Sequence, residues 1–162
     1  SLDTNYDPSE QWLGFDELLS VTDVFLLNQT EALSITRSTD IESASRQLAT
    51  KAKLVAVKLG ADGALACVNF PLASGQRSGL RADRRSRVEA VREIIRARSI
   101  PVSVVDTVGA GASFDAGLIY GYLQGWQIEK SLRLACVCGA LSTQQTGGTN
   151  GQPTLNEALK FL

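Results

Sequence analysis

The stretch DTVGAGASFDAG, residues 106–117, follows an apolar, strand-like run at 102–105 and leads into a helical pattern that starts at Phe114. A strand, a turn of small residues and a helix, in that order, form a binding site for an anion. Gly109 and Gly111 let the backbone turn tightly and approach a ligand, and the N–H groups of the first helical turn have no partner within the helix. The helix macrodipole adds roughly half a positive charge at that end. These residues therefore predict a phosphate site.

This stretch resembles the C-terminal motif of ribokinase-like carbohydrate kinases, the phosphofructokinase-B family. The motif is matched at Asp106, Thr107, Gly109, Ala110, Gly111, Phe114, Ala116 and Gly117. The resemblance implies that Gly109, Ala110 and Gly111 form an anion hole. Ala112 stands where the family has its catalytic Asp, and a methyl group cannot accept the proton of a sugar hydroxyl. Asp115 is not expected to replace it, because a rise of about 4.5 Å along the helix exceeds hydrogen-bond tolerance.

Four further segments resemble motifs of the same family, and they occur in the family's order. Residues 3–8, with Trp12 after them, resemble its Asp-x-Asn strand end and turn. Residues 28–31 resemble its Asn-x-x-Glu element, which helps to organise magnesium and phosphate through water. Residues 54–64 resemble the strand, turn and strand whose Gly-x-x-Gly lines the nucleotide, and residues 143–148 resemble the segment that closes over adenine and ribose. A short glycine motif is weak evidence alone, but the ordered set indicates a carbohydrate kinase.

The resemblance implies ATP and Mg²⁺ as cofactors, K⁺ bound by backbone near the glycine turn, and a sugar or sugar acid as substrate. The implied nucleotide-binding residues are Asn28, Glu31, Lys58, Gly60, Asp62, Gly63, Thr107 and Gly147. The implied metal residues are Glu31 and Asp106, with water between metal and protein as magnesium often prefers. The expected activity is phosphorylation of a sugar hydroxyl by ATP, with the identity of the sugar left open.

Each site residue also has a purely structural interpretation. Gly109 and Gly111 would then serve only a tight connection, Asn28 and Glu31 would be a helix cap and a surface acid, and Asp106 would only cap its turn. Two alternatives to a kinase stay open because of the residue at position 112: a non-catalytic nucleotide-binding module and a degenerate kinase remnant.

Hydrophobic periodicity predicts alternating strands and helices. The predicted strands are 1–5, 24–27, 54–59, 64–68 and 102–105, and the predicted helices are 8–19, 30–36, 40–50, 112–124, 128–146 and 154–162. Such alternation indicates an α/β fold with a largely parallel sheet covered by helices on both faces, here of the ribokinase-like type. Ligands bind beyond the carboxyl ends of the strands in such sheets, where Asn28, Gly60 and Asp106 are predicted to lie.

The chain, 162 residues long, is predicted to be a single α/β domain, residues 1–162. Nothing in it corresponds to the N-terminal half of the family fold, which carries most sugar contacts and a small β-sheet lid. We therefore expect the C-terminal, nucleotide-side part of a sugar kinase. Strand edges left exposed by the absent part would favour self-association, so a homo-oligomer is a further expectation.

Residues 71–98 contain eight arginines, more than the family usually has in this region. We predict a basic insertion at about 73–99, in the form of a solvated loop. Residues 93–96 fit either a helix or a strand. Nucleic-acid binding is not favoured, because no aromatic residues are interleaved with the arginines and the net charge is not basic.

Composition excludes several classes of protein. Hydrophobic residues make up 44% and charged residues 20%, with a net charge of −1, which is typical of a globular domain rather than a disordered one. No apolar run reaches the ~18 residues of a membrane span and no secretory signal is evident, so a cytoplasmic protein without membrane contact is expected. The absence of histidine excludes a His base or a His-ligated metal. Cys67, Cys136 and Cys138 are expected to be small, buried hydrophobic residues on a strand and a helix.

Overall fold

The computed structural model describes residues 1–4, 7–9, 11–12, 14–70 and 91–162. The strands are β1 Leu2–Asp3, β2 Val24–Asn28, β3 Leu54–Lys58, β4 Ala64–Phe70 and β5 Val91–Ala97. The helices are α1 Phe15–Ser20, α2 Gln29–Thr36, α3 Ile41–Leu48, α4 Ala110–Leu123, α5 Ile128–Ser142 and α6 Leu155–Ala158, with short 3-10 turns at Gly60–Asp62 and Leu159–Phe161.

The strands form a single five-stranded sheet in the order β1-β2-β3-β4-β5. Strands β1, β2 and β3 are parallel, and β4 is antiparallel to both β3 and β5, so four of the five strands run in one direction. The predicted α/β fold with a largely parallel sheet is thus confirmed. Asn28 is the register partner of Lys58, and Asp3 is the last residue of β1. These three residues therefore lie at the carboxyl ends of the three parallel strands.

Helices cover both faces of the sheet, as predicted, because successive strand residues point to opposite sides. In β2, Val24 and Leu26 pack on one side with α4 and α5. Phe25 and Leu27 pack on the other side with α1, α2 and α3. All four side chains are at most 3% exposed, which explains why this strand appears in the sequence as a continuous apolar run.

The predicted strand at 102–105 does not form. Val104 and Val105 are each 59% exposed, and the amides of Val105 and Asp106 donate to the carbonyl of Thr143, at 2.8 and 3.0 Å. The run has strand-like composition, but its hydrogen bonds go to the end of α5 rather than to a neighbouring strand. Asp106 is therefore held by a loop contact, not by the sheet.

The predicted helix 8–19 is also wrong at its start, since α1 begins only at Phe15. The Asp7 carboxylate accepts hydrogen bonds from the amides of Ser9, Gln11 and Trp12, which closes a turn. Trp12 and Gly14 then adopt positive φ angles of 49° and 74°, and such angles do not continue a right-handed helix. Of the other predicted helices, α4 begins earlier than expected, at Ala110, and α5 ends earlier, at Ser142.

The basic segment divides into two parts. Residues 71–90 lie outside the described residues, so the predicted solvated loop stays a prediction. Residues 91–97 are β5, which pairs with β4 along its whole length. Residues 93–96 are thus a strand, and this end of the predicted insertion, at about 73–99, belongs to the sheet. Among the described helices, none combines the length and apolar character that crossing a bilayer requires.

Candidate functional site

The centre of the candidate site is the bend formed by residues 106–111, which leads into α4. Gly109 precedes the helix with φ 81°, a left-handed conformation that favours glycine. A Cβ atom at Gly109 would lie 2.2 Å from the carbonyl oxygen of Gly148. Both the backbone angle and the contact with a neighbouring loop therefore require glycine here. Gly109 thus has the structural role in a tight connection that the sequence also allowed.

The amides that open α4 are available to a ligand. Ala110 donates to the carbonyl of Thr107 at 3.2 Å, and Ser113 donates to the carbonyl of Gly109 at 3.0 Å. Within the described part of the chain, the amides of Gly111 and Ala112 have no acceptor, and Ala112 and Thr107 are exposed. Two unpaired N–H groups at the positive end of a fourteen-residue helix suit an anion.

Asp106 ties the bend to the loop after α5. One carboxylate oxygen accepts from the amide of Val108 at 3.0 Å, and the other accepts from the amide of Gly147 at 2.9 Å. These hydrogen bonds, the one from Val108 first, hold the pKa of Asp106 below its usual value. Asp106 does cap its turn, and Gly147, which has φ 82°, takes part through its backbone.

Lys58 lies under the bend, at the end of β3. Its Nζ atom is 2.9 Å from Asp3 Oδ1 and 3.1 Å from each carboxylate oxygen of Asp115. The same Nζ atom would be 3.5 Å from a Cβ atom placed on Gly111. Burial raises the pKa of Asp115 to about 6, against the lowering effect of Lys58 and with a further raising effect of Asp3.

Asn28 and Glu31 form a capping box at the start of α2. Asn28 Oδ1 accepts from the amide of Glu31, and Glu31 Oε2 accepts from the amide of Asn28, each at 2.9 Å. Thr4 Oγ1 donates to the same Glu31 oxygen at 3.0 Å. The predicted cap is confirmed, but Glu31 is not a surface acid, because it is only 3% exposed.

The described residues contain no candidate metal cluster. Across the described ranges, no three or more His, Cys, Asp or Glu residues lie close enough together to hold an ion. Glu31 and Asp106 are separately engaged in hydrogen bonds to backbone amides. Their roles as metal residues stay predictions, and they would act through water or together with phosphate oxygens.

The glycines of the turn between β3 and β4 differ in their surroundings. A Cβ atom on Gly63 would lie 2.1 Å from the carbonyl oxygen of Ala97, so this glycine permits close packing against the end of β5. Gly60 has φ 62° and nothing within 4 Å of the equivalent point, and Asp62 is exposed. Gly60 and Asp62 therefore leave open space for a ligand, whereas Gly63 does not.

The structure thus unites three of the predicted elements: the bend, the 143–148 loop and Lys58. Sequence reasoning missed the partners of Lys58, which are Asp3 and Asp115. One signal was available for Asp115, since it is the single charged residue of an otherwise uncharged helix and lies one helical turn after Gly111.

Comparison with known proteins shows the family that the motifs indicate. Residues 2–155 match the pfkB family of carbohydrate kinases. An uncharacterised sugar kinase from Archaeoglobus fulgidus is 29% identical over 154 residues, which cover 94% of this chain and 53% of that protein. The chain therefore spans about half the length of the curated relatives it matches.

Solved structures agree with the fold described above. A probable sugar kinase from Rhizobium etli superposes on this chain with a TM-score of 0.70 and 30% sequence identity. The match covers 90% of this chain and 38% of the Rhizobium chain. Ribokinase from Arabidopsis thaliana, solved with ribose and ATP, has a TM-score of 0.70 and 27% identity, over 90% of this chain and 42% of its own. These likenesses confirm both the resemblance and the fold class predicted from the motifs.

Proposed function

Because the chain belongs to the pfkB family of carbohydrate kinases, we propose that it binds Mg²⁺·ATP with the terminal phosphates at the bend. We further propose that it is the nucleotide-side part of a kinase for a hydroxyl group of a sugar or sugar acid. The observation that carries the proposal is that the amides of Gly111 and Ala112, at the start of α4, have no acceptor among the described residues. The resolved Arabidopsis ribokinase holds ribose and ATP, which supports this choice of ligands.

Each part of the site has a distinct task in this proposal. The amides of Gly111 and Ala112 bind oxygens of the phosphate chain where negative charge increases during transfer. The open side of Gly60 and Asp62 faces the nucleotide, and the 143–148 loop lies beside it. Bound magnesium, with water-mediated help from Glu31, would neutralise charge on the phosphates, and K⁺ near the bend stays a prediction of the family resemblance.

Ala112 sets the limit on catalysis by this chain. Its exposed methyl group lies beside the proposed phosphate position and cannot take a proton from the acceptor hydroxyl. General-base catalysis contributes roughly 10²- to 10⁴-fold, so we expect turnover to be lower by about that factor than in an Ala112→Asp variant. Asp115 is a poor substitute, because both of its oxygens are bound to Lys58.

Ala112 also favours a second candidate function, a non-catalytic nucleotide-binding module. The two candidates differ in what Ala112→Asp does in the longest protein that the gene encodes. A kinase would gain phosphorylation of at least one compound in a panel of sugars, sugar acids and nucleosides. A binding module would bind nucleotide in calorimetry and still show no turnover. If the protein bound no nucleotide at all, the degenerate kinase remnant would be the remaining interpretation. A cytoplasmic location and self-association stay predictions from the sequence.

Nucleotide binding itself is testable with Gly111→Ala. A Cβ atom at this position would make an ordinary contact with Lys58, at 3.5 Å, and alanine is favoured over glycine inside a helix. The variant should therefore fold at least as well as the unaltered chain, and its affinity for Mg²⁺·ADP in calorimetry should fall because the methyl group narrows the space beside the amides of Gly111 and Ala112. Binding of equal strength in both proteins would place the phosphates elsewhere.

A further inference from the structure

Lys58 connects three elements of the fold at the base of the bend. It ends β3, and it reaches Asp3 at the end of β1 and Asp115 in α4. The side chains of Lys58 and Asp115 are only 17% and 11% exposed, whereas that of Asp3 is 45% exposed. The ion pair between β3 and α4 is thus largely shielded from solvent, where charge interactions are stronger than at the surface.

The hydrogen-bonding capacity of Lys58 is fully used within the protein. An ammonium group has three hydrogens, and three carboxylate oxygens lie within 2.9 to 3.1 Å of Nζ. The trio of Lys58, Asp3 and Asp115 also carries a net charge of −1 when all three are ionised, which would repel a phosphate group rather than attract it. These two facts argue against Lys58 as a ligand of the nucleotide.

The same contacts determine where the start of α4 lies on the sheet. Asp115 follows Gly111 by one helical turn and lies on the same side of the helix. Its two hydrogen bonds to Lys58 limit the rotation of the first turns of α4. Asp106 and Gly109 hold the opposite side of the bend against the 147–148 backbone, so the direction of the free amides depends on both attachments.

We propose that Lys58 is a positioning residue, which orients the amides of Gly111 and Ala112 through its ion pairs with Asp115 and Asp3 and does not itself contact the phosphates. This inference rests on the proposed nucleotide site and replaces the sequence-based expectation that Lys58 binds the cofactor.

The ion pair between Lys58 and Asp115 depends on pH. The charged groups that act on Asp115 are Lys58 from β3 and Asp3 from β1. Helix α5 packs against another side of α4, where its Cys138 lies next to Gly117. Burial raises the pKa of Asp115 to about 6. As the pH falls through this value, the carboxylate becomes neutral and its ion pair with Lys58 weakens. The affinity for nucleotide should therefore fall in the same pH range.

The decisive experiment measures the affinity of Asp115→Asn for Mg²⁺·ADP by calorimetry at pH 8. The direction of the change in affinity separates the two roles of Lys58. If Lys58 were a phosphate ligand, this variant would free the ammonium group and remove a negative charge, so binding would tighten. If Lys58 positions α4, the variant should bind about tenfold more weakly. Lys58→Met should weaken binding by a similar factor, and the double variant should be no weaker than either single one.

Matched controls separate this effect from general changes of charge and stability. Lys51→Met removes an exposed lysine that pairs with Asp16 and should leave affinity unchanged. Affinity of the unaltered chain should fall between pH 7 and pH 5, while Asp115→Asn should lose most of this dependence. Hydrogen exchange of the bonded amides of Ala110 and Ser113, measured without ligand, should be faster in Lys58→Met.

The outcomes distinguish the two proposals. If the unaltered chain binds no nucleotide, the proposed function is overturned and this inference is overturned with it. If it binds and Asp115→Asn binds equally well or more tightly, only the positioning role of Lys58 is overturned.

Discussion

Replacing Gly109 with alanine tests whether the bend has the backbone conformation on which the candidate site depends. Two costs can be worked out from the structure. Gly109 has φ 81°, and a left-handed conformation costs a residue with a side chain about 1–2 kcal/mol. The new Cβ atom would lie 2.2 Å from Gly148 O and 2.8 Å from its Cα and carbonyl carbon, and relieving such a backbone clash costs a further ~1–3 kcal/mol.

Gly125 is a matched control in the same helix region. It follows α4 with φ 68°, and nothing lies within 4 Å of the point where its Cβ atom would be. Gly125→Ala therefore incurs the conformational cost alone, about 1–2 kcal/mol. The free energy of unfolding, from urea titration, should be lower in Gly109→Ala than in Gly125→Ala by about 1–3 kcal/mol. At about 3 °C per kcal/mol for a chain of this size, the melting temperatures should differ by roughly 3–9 °C.

The same pair of variants should separate in function. Gly109→Ala must push the bend away from Gly148, so affinity for Mg²⁺·ADP should fall, while Gly125→Ala should bind like the unaltered chain. Equal stability and equal affinity of the two variants would refute the bend geometry, because the clash is the feature that distinguishes them.

The remaining predictions concern buried carboxylates. Glu31→Ala should lower the free energy of unfolding by about 2 kcal/mol, because two partly buried hydrogen bonds, from Thr4 and from the amide of Asn28, lose their buried acceptor. Glu157→Ala, which breaks an exposed capping box of the same type, should cost about 1 kcal/mol or less. Equal losses in urea titration would contradict the burial of Glu31. Asp115 has a pKa raised to about 6 in the folded state, so the folded chain binds an extra proton as the pH falls from 7 to 5 and gains stability. Relative to Asp115→Asn, the unaltered chain should therefore gain up to about 1 kcal/mol of unfolding free energy over this range, even as its affinity for nucleotide decreases. A stability difference that does not change with pH would show that Asp115 is not buried as described.

Local sequence patterns predicted the parts of the fold that depend on neighbouring residues. The predicted Asn28 cap of α2 is present, because a capping side chain needs only the backbone three residues ahead. Apolar runs predicted β2 and β3 correctly, since strands that are buried on both faces have continuous apolar composition. The order of the motifs was sufficient to indicate the family.

Strand-like composition was not sufficient at 102–105. A strand forms only where a partner strand offers hydrogen bonds, and the nearest acceptor for Val105 and Asp106 is the carbonyl of Thr143. The burial of Glu31 could not be predicted for a similar reason, because it depends on Thr4 and the end of β1.

By itself, the sequence determined the buried strands β2 and β3, the glycine bend at the start of α4 and the lack of a proton acceptor at Ala112. The tertiary structure alone decided the environment of the bend: Lys58 meets Asp3 and Asp115 across separations of 55 and 57 residues. Contacts between such distant residues depend on how the sheet orders its strands and where a helix packs on it, and neither is encoded in the spacing of residues along the chain. Local motifs therefore indicated the candidate site, whereas the ion pairs beside it form only when folding brings these charges together.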